Sequence, residues 1–411
     1  MLYGGQERAA AGLETRATRF RKVVLTGCIA ILVPWGCSSA RSKSVPKAPQ
    51  PAAPAPTSVA SDTAPALPAL SAQLPNQDPP EPTLSEEALE PVAEGPAACP
   101  ANMALVEGDY CSEVEHRCKK HWFSKANKKK VCEEFEPEAT CVGETAPKRY
   151  CIDKFAWPNV AGERPEVMNN FYQAQVKCAA VGKRLCTESE WTLACEGPEM
   201  KPFPYGYKRD PGKCNGDRPW DNPRMNKVAR RDPEELARLW QGVPSGSQPQ
   251  CVSDYGVHDL PGNNDEVVQS ENFSSGFRGK YASLHTGGPW YKGVRNQCRP
   301  KIYTHNEGFY YYFLGFRCCS EPDGLENNPL GPKQIKRKLT MERVERLARF
   351  TREEMREKLE LKKRGECECK PSQTLCKTMC GTLLGPDAKD AELAPRHPEG
   401  DDAAPSVAPA Q

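Results

Sequence analysis

The stretch GKRLCTESEWTLACEG, residues 182–197, decides how this chain folds. Thr187 followed three residues later by Glu190 has the form of a capping box, in which hydroxyl and carboxylate each satisfy an open backbone N–H at a helix start. It opens a short helix, ESEWTLACEG. Upstream, Asn169-Asn170 can cap a helix over FYQAQVKCAAVG, which Gly182 then ends. Two short helices joined by GKRLC are already a specific arrangement.

The rest of the chain frames that unit. Its 411 residues allow two or three domains. With 40 prolines, many in one early block, and a mean hydropathy of −0.69, it does not form one continuous core. A formal net charge of +2 gives no general pull toward nucleic acid or anionic lipid, so no nucleic-acid partner is expected. Twenty cysteines point to an oxidising compartment, where disulfides persist.

The N-terminus agrees with export. ATRFRK (17–22) is basic, VVLTGCIAILV (23–33) is apolar, and PWGCSS (34–39) follows, which makes residues 1–37 a signal peptide. Gly36-Cys37 resembles the end of a bacterial lipobox, which implies a diacylglyceryl thioether on Cys37. Cleavage at the alternative, Leu25-Thr26-Gly27-Cys28, would leave IAILVPW exposed on the mature chain. The apolar run is too short for a comfortable transmembrane helix, so the expected membrane contact is the lipid anchor. Residues 38–97 are rich in Pro, Ala and Ser and read as a disordered, semi-stiff linker. The expected location is the cell envelope, with the outer membrane as default, and the expected ligand an envelope protein or glycan.

The remaining eighteen cysteines fall into three even blocks. Residues 99–151 hold six, residues 178–319 hold eight, and residues 367–380 hold four. Closed pairing within each block would give even counts, although spacing alone does not assign partners. The last block, CECKPSQTLCKTMC, also has zinc-like spacing, but export favours two disulfides there. His116, Cys118 and His121 sit among charges and read as a solvated segment.

GKRLCTESEWTLACEG resembles the GKRLPTEAEWEYACRG signature of formylglycine-generating enzymes, the sulfatase-modifying factor family. Further similarities follow in order. PFPYGYKRDPGKCN (202–215) is similar to YPWG…N, GVHDLPGNNDEVV (256–268) to GLYDMxGNVWEWV, and TGGPW (286–290) to RGGSW. Cys298-Arg299 with LGFRC (314–318) resembles the closing CR…GFRC, and MALVEGDYC (103–111) the first strand. The resemblance covers residues 98–322, of which 98–150 is a cysteine-rich N-terminal part. It implies an α+β, formylglycine-generating-enzyme-like fold related to C-type lectins, poor in regular secondary structure and rich in disulfides. Carried over residue by residue, it pairs Cys178 with Cys318 and Cys195 with Cys298.

The resemblance also bears on activity. Active family members carry two further cysteines between the GGS and CR motifs, which bind copper(I) and oxidise a substrate cysteine. Here the interval WYKGVRNQ holds no cysteine, and the serine of GGS is Pro289. Copper is therefore not expected, nor is iron, because His258, His285 and His305 are isolated and no catalytic residue is assigned. A structural calcium is implied at Asp259, Gly262, Asn264 and Glu266, which lie at i, i+3, i+5 and i+7 and supply the hard oxygens that ion prefers. Trp290 and Tyr291 are candidates to line a ligand groove.

Residues 333–364 read as one amphipathic helix with a stripe of Met341, Val344, Leu347, Thr351, Met355 and Leu359, and its mixed charges argue against membrane binding. A cysteine-rich segment, 365–385, and a disordered tail, 386–411, complete the chain. The favoured reading is a non-catalytic binding or structural version of the family in a lipoprotein. The alternative is an active metal-dependent oxidase of a protein or small-molecule thiol.

Overall fold

Alternation along strand β1, Met103–Cys111, sets the first sheet. Met103, Ala104, Val106 and Cys111 are buried, while Leu105, Glu107 and Asp109 face outward. In this computed structural model, which describes residues 97–124, 128–291 and 295–392, β1 pairs antiparallel with β6, Thr145–Asp153. Strand β12, Cys318–Ser320, adds to the far edge of β6, and β7, Arg184–Leu185, adds to β12. The expected signal peptide with Cys37, the expected linker through residue 96 and the rest of the expected disordered tail, from 393, lie outside the described residues.

A second four-stranded sheet runs in the order β10, β9, β8, β11. These are Lys301–Ile302, Ser283–Thr286, Asp265–Gln269 and Leu314–Gly315. Two small ribbons complete the strands. Val114–Glu115 (β2) pairs with Thr140–Cys141 (β5), and Cys118–Ser124 (β3) with Lys129–Phe135 (β4). Most strands are short, and turns carry much of the chain.

Helices α1, Phe171–Ala180, and α2, Glu188–Glu196, both open on reciprocal capping boxes, Asn170 with Gln173 and Thr187 with Glu190. Two further short helices, α3 (Met225–Ala229) and α4 (Pro233–Leu239), precede the second sheet. One apolar cluster gathers Trp157, Phe171, Trp240, Trp290, Tyr312 and Phe316. Another gathers Val106, Tyr150, Ile152, Trp191 and Leu284 between the two sheets' motifs.

All eighteen cysteines of the described residues are crosslinked, and each block closes on itself. The N-terminal block pairs 99–151, 111–141 and 118–132. The central block pairs 178–318, 186–319, 195–298 and 214–251. The last pairs 367–380 and 369–376. Neighbouring Cys318 and Cys319 thus tie strand β12 to α1 and to the residue before Thr187.

The C-terminal region differs from the single helix expected over 333–364. It forms three, α5 (Pro332–Lys336), α6 (Met341–Ala348) and α7 (Arg352–Lys363). Arg349 takes a left-handed conformation, φ 70°, and Thr351 caps α7 in a capping box with Glu354. Thr351 therefore ends the stripe instead of continuing it, and Leu347 is exposed. Met341, Val344 and Met355 pack with Val176 of α1 and with Met379 of α8, Thr374–Cys380. Lys177, fully buried on α1, fastens this region: its Nζ donates to Glu166 (2.5 Å) and to the Thr378 carbonyl (2.7 Å).

The expectation of disorder from residue 386 is corrected for 386–392. Ala388 is buried, and its carbonyl accepts from Arg164 (2.5 Å). Asp390 accepts from Arg164 Nε (2.6 Å) and from the Trp240 indole (3.2 Å), and Glu392 accepts at its carbonyl from Arg218 (2.6 Å). A composition rich in Ala, Pro and Asp does not reveal docking that depends on partners far away in sequence.

Candidate functional site

Three arginines from the sequence motifs each find a glutamate from another motif or the neighbouring helix. Arg317 of LGFRC meets Glu266 of GNNDE in a bidentate pair, both contacts at 2.8 Å. The same carboxylate accepts from the Trp191 indole at 2.9 Å, so three motifs converge on one group. Arg299 grips Glu196 through two 2.6 Å contacts and also donates to the Cys111 carbonyl. Arg184 pairs bidentately with Glu190, the capping-box residue, and also meets Glu321. Planar guanidinium-to-carboxylate forks fix orientation as well as charge. These motifs act as internal braces.

The glycines of TGGPW are dictated by the same packing. Gly287 sits at φ 92°, and a Cβ there would come within 2.8 Å of the Trp191 ring. A side chain at that position would push the tryptophan off Glu266.

The interval WYKGVRNQ, which the resemblance compares with a thiol-bearing one, is occupied by an ion pair. Arg295 holds Asp265 with contacts of 2.9 and 2.8 Å to its two oxygens, and Gly288 N–H adds a third bond at 3.2 Å. Burial pushes the Asp265 carboxyl above its usual range, while Arg295 pulls it back toward ionisation. Beside it, His285 is buried, with Nδ1 4.0 Å from Asp265. Its ring stacks on His305, which stacks on Phe309. Burial first, then neighbouring positive charge, keeps the His285 pKa well below the ordinary value, so the ring is neutral at pH 7.

Cys298 is half of a crosslink to Cys195 and is fully buried. The expected groove residues need correction. Trp290 is 1% exposed and Tyr291 8%, and both rings sit among Trp220, Trp240, Tyr312 and Phe313. They belong to the core, in the same apolar cluster as Leu383 and Ala388 of the docked C-terminal segment. Asp265 and Arg295 were missed as a pair. Their only sequence signal was an aspartate where the family has tryptophan.

The fold family implies a calcium ion at the DLPGNNDE turn, and the residues fit it at one end only. Asp259 Oδ1 and Asn264 Oδ1 are buried without a hydrogen-bond partner among the described residues. Burial raises the Asp259 carboxyl to about 6, and its Oδ2 accepts from Gly246 N–H at 2.8 Å. The Gly262 carbonyl already accepts from Asn264 N–H at 2.7 Å. Glu266 does not fit, because Arg317 and Trp191 engage both of its oxygens. The four-residue calcium set is corrected accordingly: Glu266 is an ion-pair residue. In the third cysteine block the sulfurs of Cys369, Cys376 and Cys380 lie within 4.8 Å of one another, all in disulfides. His116 Nε2 donates to the Met200 carbonyl (2.7 Å), and Cys118 is crosslinked.

This architecture defines a disulfide-braced α+β domain whose shared motifs are held by buried ion pairs. Residues 134–322 match the family model of the sulfatase-modifying factor enzyme 1-like domain. No curated protein matches the chain. Similar solved structures include PvdO from Pseudomonas aeruginosa, at 13% identity over 53% of this chain and 94% of that one, TM-score 0.34. They also include CarF (13% identity, 55% and 99% covered, TM-score 0.35) and Treponema denticola variable protein 1 (13%, 53% and 95%, TM-score 0.29).

Proposed function

We propose that this chain is an exported, lipid-anchored protein whose sulfatase-modifying-factor-like domain binds or braces a partner and does not oxidise thiols. The observation that carries the reading is the Arg295–Asp265 pair in the interval of the family's missing cysteines, in a head whose described cysteines are all crosslinked. Copper(I) chemistry on a thiol calls for soft thiolate ligands, and a sulfur in a disulfide supplies none. The proposed ligand is a protein or glycan of the cell envelope, to which the spacer that follows Cys37 presents the head.

Thiol counting by mass spectrometry, on native protein alkylated under denaturing conditions, tests this. None of the cysteines from 99 to 380 should be alkylated. A parallel incubation with copper(I), oxygen and a cysteine peptide should give no aldehyde. Stoichiometric bound copper together with aldehyde product would replace this reading with that of an active oxidase.

A further inference from the structure

A net charge near zero conceals a local asymmetry. The loop after β8 runs ENFSSGFRGKY, residues 271–281, and leaves Phe273 47% and Phe277 64% exposed. Helix α5 is docked against this loop. Lys333 Nζ, buried, donates to Ser270 Oγ (3.2 Å), the Gly279 carbonyl (2.9 Å) and the Tyr281 carbonyl (2.7 Å). Arg337 Nη2 donates to the Lys280 carbonyl at 2.9 Å.

That docking sets the outward residues of α5 beside the phenylalanines. Lys336 Nζ lies 4.5 Å from the Phe273 ring centroid, and Ile335 is exposed. Phe277 meets Tyr303 edge-on at 6.0 Å, and Arg278 lies over the same tyrosine at 5.7 Å. One surface thus combines three exposed apolar side chains, Phe273, Phe277 and Ile335, with five exposed cations, Arg278, Lys280, Lys336, Arg337 and Lys338. Arg337 faces Glu307 at 3.7 Å, and the other four have no acidic partner among the described residues.

We propose that this surface seats the head on an anionic phospholipid bilayer. Phe273, Phe277 and Ile335 enter the boundary between headgroups and acyl chains, and the surrounding cations meet lipid phosphates. Charge complementarity selects this occupant, since four of the five cations have no acidic partner among the described residues and a layer of phosphates supplies a counter-ion to each. The apolar members are exposed on a loop and a short helix, where they can insert shallowly into an interface. The mixed charges of α6 and α7 do not weaken this, because the patch uses only the loop, α5 and the two residues that follow it. The inference is independent of whether the domain is catalytic.

The test uses the full chain carrying Cys28→Ser and Cys37→Ser, so that no acyl chain contributes. It is sedimented with vesicles of phosphatidylcholine alone or mixed with phosphatidylglycerol. Binding should prefer the anionic vesicles and weaken as salt is added. That preference should fall about tenfold or more in Phe273→Ser/Phe277→Ser and in Lys336→Glu/Lys338→Glu. Thermal unfolding of each variant, unchanged because the residues are exposed, confirms that the loss is not misfolding. Equal binding to both vesicle types, or an anionic preference that the variants leave intact, would overturn the proposal. So would binding to a soluble polyglutamate in place of vesicles.

Discussion

Arg317 and Glu266 lie 51 residues apart and form a bidentate ion pair inside the core, with Arg317 fully buried and Glu266 1% exposed. A charge pair in that setting is costly to break from one side, because the survivor stays desolvated. It is also where three separate sequence motifs acquire a common purpose, since Trp191 shares the carboxylate.

Glu266→Gln should therefore destabilise the domain by about 3–5 kcal/mol. Denaturant unfolding of the oxidised protein measures this. Glu266→Gln combined with Arg317→Met should recover part of the loss, because the double variant leaves no lone buried charge.

Asp259 gives a pH-dependent expectation. Its folded pKa of about 6 lies above the ordinary value of 3.8, so the folded state binds the proton more tightly than the unfolded chain. Its ionisation thus costs stability, with the penalty absent below about 4 and complete above about 6. Asp259→Asn keeps an acceptor for Gly246 and tolerates the φ of 61°. In chelator-treated buffer at pH 7.5 it should gain about 3 kcal/mol, and the gain should vanish near pH 4. Thermal unfolding across that range checks it.

The crosslink from Cys178 to Cys318 spans 140 residues and fixes α1 to the first sheet. Replacing both cysteines by alanine should cost about 2–4 kcal/mol. A guanidinium titration under non-reducing conditions reads the shift.

The segment 386–392 covers Trp240. Ending the chain at Gly385 removes Asp390 from both Arg164 and the Trp240 indole. Amide exchange should rise selectively around Trp240 and Arg164, with a stability loss of about 1–2 kcal/mol. Exchange measured by mass spectrometry distinguishes this from a global change.

Thr351 shows how near the sequence came and why it fell short. The pattern Thr351–Glu354 is the same capping box as Thr187–Glu190, yet the apolar stripe runs through it without a break in spacing. Periodicity at three and four residues persists across a break when both short helices bury the same side. Trp290 and Tyr291 misled for a related reason. An aromatic pair after two glycines has no marker for exposure, and the rings packed on it, Trp220 and Trp240 among them, come from elsewhere in the sequence.

What the sequence settled alone is the local order: the two capped helices, the motif succession and the even cysteine blocks, all set by neighbours within a few residues or by counting. Only the tertiary structure decided which carboxylate each motif arginine takes, that Glu266 is spent on Arg317, and that Phe273 and Lys336 share a face. Those outcomes depend on burial and on contacts between residues tens of positions apart. Desolvation makes an unpartnered charge expensive only after the fold has removed the water.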